Sequence, residues 1–125
     1  MIYGIGIDVV EVSRIRAAVE RWGQRFLERV FTAEEISYAY KKNDPFLSLS
    51  VRFAAKEAFI KAASSRQAIS LTDIEVANQE NGRPLLRLQG GAKKAVGQME
   101  IRNIHISMSH EKKYGVACVV IEGAK

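Results

Sequence analysis

Residues 52–62 read RFAAKEAFIKA, a run rich in helix-forming residues and free of glycine and proline. We predict that this segment is a helix and that it lies centrally in the fold, because the surrounding run is too apolar for a solvated surface. Glu57 and Lys61 lie one turn apart on one face of that helix, between two apolar arcs. A carboxylate and an ammonium group in that setting must pair with each other or bind a charged ligand. The spacing alone is compatible with both.

The chain has 125 residues and is 47% apolar, which predicts one compact domain, residues 1–125, with a hydrophobic core. No apolar run approaches the roughly 20 residues of a membrane span, and the N-terminus lacks the pattern of a signal peptide. We therefore expect a cytoplasmic protein with no membrane partner. The single cysteine, Cys118, lies in an apolar run, which predicts a buried thiol. One thiol cannot form an internal disulfide.

The net charge of +5 indicates a polyanionic partner, which could be nucleic acid, a phosphate-rich small molecule or an acidic protein. Ser13 is a candidate N-cap for a helix that runs to about Val30, with an apolar face that includes Trp22. A row of basic residues lies beside that face, each one position before an apolar residue of the face: Arg14, Arg21, Arg25 and Arg29. This row is either a solvated face or a docking surface for an acidic partner.

Residues 2–12 have the alternation of a strand, and one face of that strand carries Gly4, Gly6 and Asp8. Glycines at these positions suggest that another backbone or a ligand approaches closely. Asp8, late in an apolar strand, is either a turn-forming residue or a ligand-binding one.

Together with the remaining patterns, these elements predict the α+β fold class, in which a largely antiparallel sheet packs against the long central helix and shorter helices. A capping box at Thr32 predicts a short helix to about Lys42, and Asp44 caps the central helix, of which Pro45 is the first residue. The other predicted elements are a hairpin with strands around residues 74–76 and 86–88, a helix over 92–99, and a second hairpin with strands over 104–109 and 114–122.

Three separated motifs, GIGID at residues 4–8, RFAAKEAFIKA at 52–62 and SMSH at 107–110, resemble the holo-[acyl-carrier-protein] synthase family of 4′-phosphopantetheinyl transferases. The likeness extends over the whole chain, in order, and includes the turn NGRP at residues 81–84. One departure is that the family usually has a glycine-rich turn after the central helix, where this chain has ASSRQ at residues 63–67.

The resemblance implies the 4′-phosphopantetheinyl transferase fold and an activity that depends on Mg²⁺. The phosphopantetheine arm of coenzyme A would be transferred to a serine of apo acyl carrier protein, releasing adenosine 3′,5′-bisphosphate and supporting fatty acid biosynthesis. It also implies a homotrimer with sites between subunits, so that Asp8 and Glu57 could come from different chains.

Residue roles follow from the same resemblance. Asp8 and Glu57 would hold the metal, and Lys61 would contact the reacting phosphate. Glu57, through a metal-bound water, or alternatively His110, would accept the proton of the serine. The residues expected to bind coenzyme A are Lys61, His110, Gly82 and Pro84, and those expected to bind the carrier protein are Arg14, Arg21 and Arg25. Lys56, about 100° from its neighbour Glu57 round the helix, is expected to tolerate substitution better than Lys61.

Two other functional classes are compatible with the charge. An RNA-binding module would explain it, but the aromatic residues show no stacking pattern on a strand pair, so we expect no nucleic-acid partner. A non-catalytic scaffold for an acidic protein would use the arginine row and leave the carboxylates Asp8 and Glu57 without a role.

Overall fold

A computed structural model describes residues 1–124. The elements in chain order are β1 (Ile2–Glu11), α1 (Val12–Trp22), α2 (Gln24–Val30), α3 (Ala33–Tyr40), α4 (Pro45–Ala63), a short 3₁₀ turn (Leu71–Asp73), β2 (Ile74–Asn78), β3 (Pro84–Leu88), α5 (Gly90–Gly97), β4 (Ile101–His110) and β5 (Tyr114–Gly123). The predicted α+β class is confirmed. Within residues 1–124, no helix combines the length and the apolar character that crossing a membrane requires.

The central helix α4 packs on one face of a three-stranded antiparallel sheet with the order β1-β5-β4, while β2 and β3 form a separate hairpin. Gly4 and Gly6 of β1 lie directly against this helix, since a Cβ atom on either would collide with the carbonyl oxygen of Ala62 or Ala58. The close approach that the two glycines predict is therefore the backbone of α4. Asp8 has the same parity as the glycines, so it shares their face of the sheet and points to the same side as the helix.

The opposite face of the sheet is uncovered, and the side chains that β1 and β5 place on it are largely apolar. Ile5, Ile7 and Val9 of β1 are 62%, 59% and 60% exposed. Cys118 of β5 lies on the same face and is only half-buried, which corrects the prediction of a buried thiol. The error arises because β1 and β5 are apolar on both faces, although only one face of the sheet packs against a helix. On the uncovered face, β4 carries the polar residues His105, Ser107 and Ser109.

The helix predicted from residue 13 to about Val30 is in fact two helices. Gly23 adopts φ 56°, ψ −135°, a conformation that only glycine reaches easily, and it separates α1 from α2. The first helix begins at Val12, with Glu11 rather than Ser13 at the N-cap position. Trp22, predicted on the buried face, is 54% exposed at the break. The arginine row is consequently divided, with Arg14 and Arg21 on α1 and Arg25 on α2.

The other local predictions agree more closely with the structure. Thr32 and Glu35 form the predicted capping box, and the Asp44 carboxylate accepts a hydrogen bond of 3.0 Å from the backbone N–H of Phe46 at the start of α4. The first predicted hairpin is present, with Val76 opposite Leu86. Helix α5 begins and ends two residues earlier than predicted.

Candidate active site

Strand β1 and helix α4 bring Asp8, Glu57 and Lys61 together. The Lys61 ammonium donates to the Asp8 carboxylate at 3.0 Å and to the backbone carbonyl of Ile7 at 2.9 Å. Asp8 and Glu57 line the same cavity, of about 430 Å³. One chain therefore brings the two carboxylates together.

The charges in this cluster do not balance, because it contains two carboxylates and one ammonium group. Burial raises the pKa of the Glu57 carboxyl above its usual value, repulsion by Asp8 raises it further, and Lys61 partly offsets the two. Within residues 1–124, Glu57 receives no hydrogen bond and forms no ion pair. A carboxylate that is partly desolvated, close to a second carboxylate and unpaired is a site that a cation would stabilise.

The donor set indicates which cation fits. In the described part of the chain, no group of three or more histidine, cysteine or carboxylate side chains gathers around a common point. A zinc site would need such a group. Two carboxylates suit Mg²⁺, which keeps several waters and completes its shell with phosphate oxygens of a ligand.

A second cavity, of about 530 Å³, lies at the other end of α4. Its wall contains two cations, Lys42 and Arg52, and one carboxylate, Asp44, which pairs with Arg16 at 3.5 Å, so we call it the basic cavity. Arg52, which is only 4% exposed, contributes its guanidinium group to the wall. This group donates to the Ser48 hydroxyl at 2.9 Å and to the Asn78 side-chain oxygen at 2.8 Å, and its Nε has no partner. Among residues 1–124 no carboxylate forms a salt bridge with it. A buried cation with neutral partners favours an anionic ligand in the cavity.

Of the residues predicted to bind coenzyme A, His110 lines this basic cavity, and Gly82 and Pro84 adjoin Asn78 in its wall. His110, at the end of β4, lines it together with Lys42. The Asn78 side chain, also in the wall, donates to the carbonyl of Gly82 at 3.1 Å and lies opposite Pro84 in the hairpin register. Lys61 and the two carboxylates are not in this wall. Within one chain, then, the predicted site residues form two separate groups.

The arginine row borders the carboxylate cavity. Arg14 lines that cavity beside apolar side chains, and Arg25 lines a neighbouring groove of about 260 Å³ with Trp22 and Phe26. The guanidinium carbon of Arg21 lies 4.8 Å from the centre of the Trp22 ring. Within the described residues none of the three arginines forms an ion pair, so their charges are free to act on a partner.

Lys56, by contrast, is completely buried. Its ammonium pairs with the Glu35 carboxylate at 2.7 Å and donates to the carbonyls of Leu71, at 2.9 Å, and Ile74. Burial lowers the pKa of Lys56, and Glu35 opposes that change. The structure therefore removes the basis for expecting Lys56 to tolerate substitution, since this side chain joins α4 to α3 and β2.

Comparison with known proteins adds an independent finding. Residues 4–119 match the family model of the 4′-phosphopantetheinyl transferase superfamily. The chain belongs to this superfamily. It is 46% identical over 123 residues to the holo-[acyl-carrier-protein] synthase of Halothermothrix orenii, covering 98% of each chain.

Solved structures of the superfamily show the same fold. The holo-[acyl-carrier-protein] synthase of Neisseria meningitidis superposes with a TM-score of 0.88 at 36% identity, covering 98% of this chain and 99% of that one. The Bacillus anthracis holo-(acyl-carrier-protein) synthase, solved in complex with CoA (3′,5′-ADP), superposes with a TM-score of 0.81 at 35% identity, covering 99% of both chains.

Residues 63–67, which lack the glycine-rich turn usual in the family, still form a turn after the central helix. Ser64 ends α4 with φ 45°, ψ 38°, the left-handed conformation that glycine usually supplies at a helix C-terminus. Its backbone N–H donates to the carbonyl of Ile60, and its hydroxyl donates to the carbonyl of Lys61 at 3.0 Å. The chain thus makes the turn without a glycine.

Sequence reasoning missed most of the basic cavity. Arg52 stands at the start of the quoted motif, and a lone arginine in an apolar helix could have marked it as a binding residue. No comparable signal marks the other residues of the wall, because they come from separate elements: Tyr38 from α3, Lys42 from the turn after it and Asn78 from β2.

Proposed function

We propose that this chain is a Mg²⁺-dependent holo-[acyl-carrier-protein] synthase, which transfers 4′-phosphopantetheine from coenzyme A to a serine of apo acyl carrier protein in fatty acid biosynthesis. The observation that carries the proposal is the cluster of Asp8, Glu57 and Lys61, in which two carboxylates from two family motifs meet beside an accessible ammonium group. We further propose that residues 1–125 act as one domain, in the cytoplasm.

The reaction breaks a phosphorus–oxygen bond in the pyrophosphate of coenzyme A. The serine oxygen forms a new bond to that phosphorus, and adenosine 3′,5′-bisphosphate leaves with the electron pair of the broken bond. Such a transfer depends on positioning and charge stabilisation more than on covalent help. Mg²⁺, held by Asp8 and Glu57, would supply neutralisation of the pyrophosphate charge. The Lys61 ammonium, exposed and within 3.0 Å of Asp8, would stabilise charge on the leaving side.

The proton of the attacking serine needs an acceptor. Glu57 is our candidate for this role, because its carboxylate lines the cavity beside Asp8 and accepts no hydrogen bond from residues 1–124. His110 lies in the basic cavity instead, so we assign it to coenzyme A.

The nucleotide of coenzyme A is assigned to that basic cavity. Lys42, Arg52 and His110 would meet its phosphates, since all three line the wall and the first two have no carboxylate partner among residues 1–124. Gly82 and Pro84 border the cavity through Asn78. Lys61 would contact the pyrophosphate end.

A homotrimer with sites between subunits would unite the two groups of residues. The carboxylates lie beside β1 and His110 lies on β4, and these strands form opposite edges of the sheet. A head-to-tail ring places the β1 edge of one copy beside the β4 edge of the next. It would also cover the exposed apolar face of Ile5, Ile7 and Val9. Ile7→Lys should give a monomer by light scattering and abolish transfer; a monomeric wild-type protein with full activity would overturn the trimer.

The acidic carrier protein is assigned to Arg14, which lines the carboxylate cavity, to Arg25, which lines the neighbouring groove, and to Arg21, which lies between them in sequence. Exposed charges of this kind chiefly accelerate encounter, and salt screens them. Arg21→Glu should raise KM for the carrier roughly tenfold at low salt and leave KM for coenzyme A unchanged. A wild-type KM for the carrier that does not vary with salt would mean that the arginine row is only a solvated face.

The test of the function is intact-mass spectrometry of apo acyl carrier protein incubated with this protein, coenzyme A and Mg²⁺. We expect a mass gain of one phosphopantetheine group, dependent on Mg²⁺ and absent when the acceptor serine is replaced by alanine. No mass gain under these conditions would leave the RNA-binding or scaffold alternatives in its place.

A further inference from the structure

Tyr38 of α3 lies against two cations at once. The guanidinium carbon of Arg52 is 4.2 Å from the centre of its ring, and the ammonium nitrogen of Lys42 is 4.8 Å from the same centre. All three side chains line the basic cavity. Contacts of this geometry are attractive because the face of an aromatic ring is electron-rich.

Arg52 is also held by its hydrogen bonds to Ser48 and Asn78, whereas the ring of Tyr38 is the contact that the two cations share. They repel each other, and among residues 1–124 neither forms an ion pair that would hold it in place. A carboxylate at position 38 would hold both, but it would cancel their charge and repel an anionic ligand. An aromatic ring attracts the cations without adding a formal charge, so their full charge stays available to the cavity.

We propose that Tyr38 is a positioning residue that presents Lys42 and Arg52 to the phosphate groups of the coenzyme A nucleotide. The proposal rests on the proposed function, because it takes that nucleotide as the occupant of the cavity. The ring face does the work, so phenylalanine should substitute for tyrosine, whereas an aliphatic side chain of similar volume should not.

The test is the calorimetric Kd for adenosine 3′,5′-bisphosphate, measured at low and moderate salt. Tyr38→Leu should weaken binding on the order of tenfold, with a shallower dependence on salt, because two oriented cations lose their support. Tyr38→Phe should stay within about threefold of the wild type. Tyr40→Leu is the matched control, since Tyr40 is an exposed tyrosine of the same helix outside the cavity wall. Thermal melts of each variant verify folding, and Tyr38→Met replaces the leucine variant if the latter melts early.

The outcomes separate the two proposals. A wild-type protein that does not bind the bisphosphate overturns the assignment of the cavity and, with it, the role of Tyr38. Tight wild-type binding that Tyr38→Leu or Tyr38→Met leaves unchanged overturns the role of Tyr38 alone. Equal losses in the phenylalanine and leucine variants also overturn it, because the hydroxyl group rather than the ring face would then be responsible. Lys42→Ala should cost less in the Tyr38→Leu background than in the wild type.

Discussion

Two charged clusters are centred on lysines five residues apart on the same helix, Lys56 and Lys61, and they are built in opposite ways. Around Lys56 every charge is satisfied: Glu35 pairs with the ammonium and also accepts from the backbone N–H groups of Thr32 and Val76. Around Lys61, whose side chain is 54% exposed, Asp8 has one cation and Glu57 has no partner within residues 1–124. The first arrangement holds helices and strands together, whereas the second keeps charge available for a ligand.

If the Lys56 cluster is structural, its removal should produce the largest effect on stability. Lys56→Ala leaves the Glu35 carboxylate buried without its cation, so we expect a loss of about 3–5 kcal/mol in the free energy of unfolding, measured by urea denaturation. The double variant Lys56→Met, Glu35→Leu should recover a large part of that loss because it removes both charges. A loss below about 1 kcal/mol for Lys56→Ala would contradict the comparison.

Substitution of the carboxylates in the Lys61 cluster should lower activity rather than stability. Asp8→Asn and Glu57→Gln should each lower turnover by roughly 10²–10³ at limiting Mg²⁺, because each removes charge that would hold the cation. Neither should lower the melting temperature when it is measured without Mg²⁺. Glu11→Gln is the matched control, since Glu11 follows on the same strand with the opposite parity. Near-wild-type rates in either variant would remove the metal site from the proposal.

Lys61 itself should affect chemistry more than binding. Lys61→Ala should lower kcat on the order of 10²-fold and raise KM for coenzyme A much less, because the ammonium acts on charge that develops in the transition state. Lys56 cannot serve as the control here, as its loss would perturb the fold. Lys93→Ala, an exposed lysine of α5, tests for a general electrostatic effect instead. Equal losses at Lys61 and Lys93 would indicate such an effect.

The same contrast explains what the sequence could and could not predict. The helix could be predicted from its local pattern, whereas a common site for Asp8, Glu57 and Lys61 was expected only from the family resemblance. The burial of Lys56 could not be predicted, because its partner Glu35 lies 21 positions earlier, on another helix, and helical spacing does not show which face is covered. The break at Gly23 was missed for a related reason, since the apolar period continues across it and a single glycine is often tolerated inside a helix.

The smallest predicted effect, on stability, also distinguishes the two clusters. The pKa of Glu57 is raised in the folded protein, so the folded state favours the neutral carboxyl. The stability that this group contributes is therefore present below its unfolded pKa and is lost as the pH rises through the folded pKa. Without Mg²⁺, Glu57→Gln should raise the melting temperature by roughly 1–3 °C at pH 7.5 and have no effect at pH 4.

With Mg²⁺, Glu57→Gln should instead melt at a lower temperature than the wild type, because a cation held by Asp8 and Glu57 stabilises the wild-type fold and not the glutamine variant. Differential scanning calorimetry at both pH values, with and without Mg²⁺, makes the comparison, and Glu80→Gln, in an exposed turn, is the control. A melting temperature that falls in Glu57→Gln at both pH values would show that Glu57 contributes to the fold as Glu35 does. Both clusters would then stabilise the fold, and they would differ only in their exposure to solvent.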